Sequence, residues 1–137
     1  MLEIYRTKVG KIPGTKYSEV YKATFNIFKQ IKSKSKRTPY VRSKYFDGEK
    51  IFLELFWVHL RQKRLGERSR RLKYYSCGLD LLMHSRCSPL IKLNPENASE
   101  KLYRFKGETR NNEVFFVQVK EEKNSKNKYL MSIFPEN

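Results

Sequence analysis

Between Lys101 and Phe134 the runs KLYRFKG, EVFFVQVKE and KYLMSIFP are separated by two polar loops, ETRNN and EKNSKN. Aromatic and β-branched runs bounded by Asn-rich polar loops predict an antiparallel meander over 101–134. Side chains on a strand alternate between faces, so Tyr103, Phe105, Phe115, Val117, Val119, Tyr129, Met131 and Ile133 fall on one side, the expected core. The other side then carries Arg104, Lys106, Gln118, Lys120, Lys128 and Ser132 among Leu102, Val114, Phe116, Leu130 and Phe134. Such a face suits a ligand surface, because a wholly wet face would leave those apolar residues as an exposed patch; the alternative is a solvated face with some packing over it.

Upstream the period lengthens to that of a helix. Val20, Tyr21, Phe25, Ile27, Phe28 and Ile31 predict an amphipathic helix over 17–33. Asp47 serves as a cap for a helix over 48–64, with Ile51, Leu53, Phe56, Trp57 and Leu60 on its buried stripe. A third helix, over 69–86, follows from Leu72, Tyr75, Leu79, Leu82 and Met83. Residues 1–16, punctuated by Gly10, Pro13 and Gly14, read as a loop or loose arm, and 88–100, with Pro89, Asn94, Pro95 and Asn97, as a surface loop. The expected fold is therefore α+β: N-terminal helices packed on a C-terminal antiparallel β-meander, one domain over 1–137. Phe56, Leu60, Leu79, Val117 and Met131 should share its core.

Charge changes this picture from a fold to a function. The net charge is +16, and nearly all of the excess lies in residues 1–75. A polyanion is the expected partner, whether nucleic acid, an acidic protein or an anionic membrane surface. Within the basic segment 32–44, Arg37, Tyr40 and Arg42 combine guanidinium groups with an aromatic ring, which suits phosphate clamping and base stacking as well as it suits a solvated linker. Arg68, Arg70, Arg71 and Lys73 crowd the start of the third helix, where cations oppose the macrodipole, so a phosphate contact is expected there. No apolar run reaches the roughly 20 residues that span a bilayer, and no apolar leader core opens the chain, so a cytoplasmic protein is expected. Cys77 and Cys87 form neither a zinc pattern nor a disulfide framework. His59 and His84 stand apart, and no Walker loop, GxGxxG turn, GxSxG elbow or HExxH pair occurs, so neither metal nor cofactor is expected.

The strings YRF-x-G, F-x-VQVKE and KYLMSIFP, together with RTPYVRSKYF, KIFLELFW-x-HL and RRLKYY, resemble uncharacterised bacterial members of the barnase/EndoU/colicin/RelE-like ribonuclease superfamily over about Arg37 to Pro135. The resemblance implies helices before an antiparallel sheet and metal-independent endoribonuclease activity of a toxin or effector kind. The expected open face lacks the His and Glu of the barnase pattern, which leaves the RelE-like branch, working with Arg, Lys and Tyr, as the nearer comparison.

Cleavage of RNA by its own 2′-hydroxyl needs a base, an acid and cations around the dianionic phosphorane. Arg104 and Lys120 are the expected phosphate binders and transition-state stabilisers, Lys106 and Lys128 add to the field, and Ser132 orients the phosphate. Gln118 lies among them. A non-catalytic, strongly basic nucleic-acid-binding protein is the alternative, and an acidic inhibitor or antitoxin is compatible with either.

Overall fold

The computed structural model describes residues 2–136, the side chain of Ala98 excepted. The first helix, α1 (Tyr17–Ser33), has the expected bounds. Val20, Thr24 and Phe28, four residues apart, form its buried stripe, and the Glu19 carboxylate accepts the Lys16 backbone N–H at its start. Its aromatic edge, Tyr21 and Phe25, meets the Trp57 indole edge-on at 5.9 and 5.4 Å.

The α+β class holds, but the sheet is not a C-terminal meander. Among the described residues seven strands form one mixed sheet in the order β1-β5-β6-β7-β3-β2, with β4 also paired to β5. Strand β1 (Ile4–Arg6) runs parallel to β5 (Asn97–Glu108), and β3 (Glu49–Phe52) runs parallel to β7 (Lys128–Pro135). The remaining strands, β2 (Tyr40–Ser43), β4 (Leu90–Asn94) and β6 (Val114–Glu122), pair antiparallel. The N-terminal half thus supplies three strands of the sheet as well as helices that pack on it.

Three expectations fail along the chain. Asp47 caps no helix: it sits at φ 55 and Gly48 at φ 85, the left-handed pair that turns the β2–β3 hairpin. The apolar run after it divides into β3 and a short helix, α2 (Glu54–Leu60). The third helix breaks at Lys73 and Tyr74 into α3 (Leu65–Leu72) and α4 (Tyr75–His84). The stretch expected as a surface loop, 88–100, instead turns at Pro95 and Glu96 between β4 and the start of β5.

Residues 2–16 are no loose arm, and Met1 lies outside the described residues. The buried Asp80 carboxylate accepts the Tyr5 hydroxyl at 3.2 Å and the Lys8 backbone N–H at 2.9 Å, while Ile12 donates to the Lys73 carbonyl and is itself buried. Phe56, Leu60, Leu79 and Val117 are buried in one cluster, whereas Met131 is only half-buried. Gly78 lets α4 approach β7, because a Cβ there would collide with the Ile133 side chain.

Candidate nucleic-acid interface

Strand partners share a face, so the register defines the surface opposite the core. One row crosses the sheet as Tyr40, Phe52, Tyr129, Lys120 and Leu102. A second contains Ser132, Gln118 and Arg104, and a third Phe134, Phe116 and Lys106. Arg104, Lys106, Gln118, Lys120 and Ser132 therefore lie where strand alternation puts them.

Lys128 does not. Gln118 pairs with Ser132 and Val119 with Leu130, leaving Met131 as an extra residue in β7. This bulge reverses the alternation on its N-terminal side. Leu130 and Lys128 turn to the core, and Tyr129 turns to the open face beside Lys120. The Lys128 ammonium, on a residue only 5% exposed, binds Glu49 at 2.7 Å and Glu121 at 3.3 Å, and stands 4.9 Å from the Phe46 ring centroid. It is a structural ion pair and no part of the face. Met131, also expected in the core, accepts a hydrogen bond from the Gln118 amide at its Sδ.

Arg104 is half-buried, and its guanidinium donates to the Gln118 amide oxygen at 3.3 and 3.1 Å. Among the described residues it has no carboxylate partner. It also stands over the Phe134 ring, as does Arg71 from α3, at 5.7 and 5.4 Å from the centroid. Phe116 lies 5.5 Å from Phe134. Two guanidinium groups and two rings thus form one cationic and aromatic patch at this end of the face.

At the other end the Phe52 ring lies 6.4 Å from Tyr40 and 5.8 Å from Tyr129. Lys120 stands 5.6 Å from the Tyr129 ring centroid and pairs with Glu100 at 3.3 Å, and Tyr129 donates to Glu122 at 3.0 Å. Between this end and α2 lies a cleft of about 360 Å³ whose walls include Glu54, Leu55 and Val58 opposite Lys120 and Tyr129. His59, one turn beyond Leu55, lies in the field of Lys120. Burial, and then the charges of Lys120 and Lys63, hold its imidazole below the ordinary histidine range. Glu54 and Glu122 of the cleft, and Glu100 on Lys120, also bring carboxylates near a face on which the expected strand pattern placed none.

The remaining basic candidates are dispersed. Arg68 donates to the carbonyls of Arg61 and Lys63, both at 2.7 Å, and so closes the C-terminal end of α2. Arg70 and Arg71 share Glu67, whose carboxyl they hold below its usual range. Lys73 lies in the α3–α4 turn. Arg42 donates to the Gly48 carbonyl and stands on the Tyr40 ring, while Arg37 is exposed in the loop after α1.

Phe52 and Tyr129 escape the sequence reading because β3 is concealed in a helical-looking run and the bulge is invisible to alternation, while His59, read as a packed histidine standing apart, comes beside Lys120 through the packing of α2. The KIF triplet before ELFW was the available signal, since Lys50 and Phe52 flank a buried Ile51 at strand spacing. Among the described residues no group of three or more His, Cys, Asp or Glu could hold a metal ion, and no helix is long and apolar enough to cross a membrane. Comparison with protein-family models, with curated proteins and with solved structures finds no match to this chain.

Proposed function

We propose that the protein binds single-stranded RNA across the open face of its sheet. The observation that carries this reading is Arg104, whose half-buried charge has a neutral amide for a partner and shares the Phe134 ring with Arg71. A guanidinium held beside an aromatic ring offers a fixed fork to phosphate, and the neighbouring rings offer planes to unpaired bases. Duplex RNA would present its phosphates but not its base faces, so the rings favour single strands. The choice of RNA over DNA rests on the resemblance to the ribonuclease superfamily. An acidic inhibitor protein would compete for the same cations.

Fluorescence anisotropy with a labelled single-stranded RNA tests the reading. Affinity should fall with log salt at a slope of about −0.7 per phosphate neutralised. Arg104→Ala should weaken binding; unchanged affinity, or affinity indifferent to salt, would exclude this face.

A second reading, metal-independent RNA cleavage, is favoured by the cleft beside α2. His59, one turn beyond the cleft wall at Leu55 and kept neutral, is the candidate to accept the 2′-hydroxyl proton, and Lys120 in the lining, with Arg104 on the neighbouring strand, would supply charge for the phosphorane. The 2′-hydroxyl gives its proton to His59 and its oxygen bonds to phosphorus as the bond to the 5′-oxygen breaks, the departing oxygen taking a proton from water. Discrete cleavage of total RNA in EDTA that disappears in Lys120→Ala would support this reading, and intact RNA under all conditions would end it.

A further inference from the structure

Beyond the first ring of the aromatic row, between the end of α1 and the β2–β3 hairpin, lies a cleft of about 620 Å³. Its lining includes Lys34, Lys36, Arg37 and Lys50, with Tyr40 and Phe52 as aromatic walls, and no carboxylate. Among the described residues none of the four cations forms an ion pair. The helix dipole accounts for a cation in the last turn of α1, but its influence fades within that turn. Lys36 and Arg37 lie beyond the helix, and Lys50 comes from β3, with its ammonium 4.6 Å from the Tyr40 ring centroid.

Three elements therefore converge unneutralised charge on a space within the range of about 300–1,000 Å³ typical of small-ligand sites. An internal phosphodiester brings one negative charge per nucleotide, which four cations around a single aromatic step exceed. A terminal phosphate alone carries nearly two charges, and a chain of phosphates carries more. Arg37 offers a bidentate fork, and the lysines act as adaptable point charges.

We propose that this cleft binds a nucleoside 5′-triphosphate group, its phosphates among Lys34, Lys36, Arg37 and Lys50 and its base against Phe52. The group can belong to the end of an RNA lying on the open face, an arm that rests on the binding reading above, or to a free nucleotide. In the first case the terminal base begins the row that continues to Tyr129.

The test measures affinity for one single-stranded RNA carrying either a 5′-triphosphate or a 5′-hydroxyl, and for ATP alone, at about 150 mM salt, where distant charges are screened. The triphosphorylated RNA should bind about tenfold or more tightly than its 5′-hydroxyl form, the scale of one or two charge-assisted hydrogen bonds. That ratio should collapse towards one in a Lys36→Glu, Arg37→Glu double variant and persist in Phe134→Ala, which lowers both RNA affinities together. ATP binding that the double variant abolishes, without a difference between the two RNAs, assigns the cleft to free nucleotides. Equal affinity for the two RNAs with no ATP binding overturns the proposal, as does a triphosphate preference that survives the double substitution. If neither RNA binds, the open-face reading fails, and the ATP arm still decides the cleft. Lys36 and Arg37 are exposed, so circular dichroism should show the double variant folded.

Discussion

The Arg104 guanidinium carbon lies 5.7 Å from the Phe134 ring centroid. On the proposed binding reading, a base that stacks on this patch would meet a ring already polarised by cations. Phe134→Ala should weaken single-stranded RNA binding by about 1–3 kcal/mol, the range found when a stacking aromatic is removed. Phe134→Tyr should retain most of the affinity. Anisotropy titrations check both, and an unaffected Phe134→Ala variant would remove stacking at this site.

Lys128 should affect stability rather than binding. Lys128→Ala leaves Glu121, with a side chain 10% exposed, without its cation, although the Tyr103 hydroxyl still donates to it at 3.0 Å. The loss should be about 3 kcal/mol, since removing one partner strands the other charge. Urea denaturation measures that loss, and RNA affinity of the folded fraction should stay within about twofold because Lys128 touches no part of the open face. A fully stable variant that has lost binding would return Lys128 to the face.

The His59 imidazole should titrate below the ordinary value of about 6.5 when followed by NMR. Burial contributes first and Lys120 next, so Lys120→Met should raise the midpoint only part of the way. The sign follows from linkage: with a depressed folded pKa, the unfolded chain binds the proton more readily. The stability contribution is full above the unfolded pKa and is lost as pH falls through the folded pKa. A midpoint above the ordinary value, or one indifferent to Lys120, would remove the basis for a neutral base beside the cleft.

Gly78→Ala should destabilise the protein by about 1–3 kcal/mol, the usual cost of overfilling a packed core. The added methyl would meet Ile133, which is wholly buried. Combining it with Ile133→Val should cost less than the two single changes together, because the shorter side chain opens the contested space. Additive losses in thermal denaturation would place the strain elsewhere.

What the sequence revealed depended on whether local pattern or tertiary pairing decided the outcome. The stripe of α1 is purely local, so its bounds follow from spacing. The β5–β6 pairing joins adjacent strong strands across a short loop, and Arg104, Gln118 and Lys120 take their expected face. The EKIF strand and ELFWVHL helix run together without a break, and strand or helix is chosen there by the pairing of Ile51 and Phe52 with Lys128 and Tyr129, far along the chain. Alternation through β7 fails at Met131, where one extra residue exchanges Lys128 for Tyr129. The cationic strands of the candidate site were therefore legible, whereas its aromatic row, its α2 wall and the convergence of Lys50 on the α1 end were not, since each depends on a long-range contact.

β7, between β6 and β3 in the sheet, follows every other strand among the described residues. β7 joins β6 to β3, so until it is made the hairpin of β2 and β3 has no sheet to join, and the β4–β5–β6 group lacks its inner neighbour. On a ribosome α1 can coil as it emerges, but Leu130 and Ile133, both wholly buried, arrive only with β7. Closing such distant contacts is slow, and the apolar faces awaiting them are exposed meanwhile. Premature termination before Lys128 should therefore yield an aggregating fragment rather than a smaller folded protein.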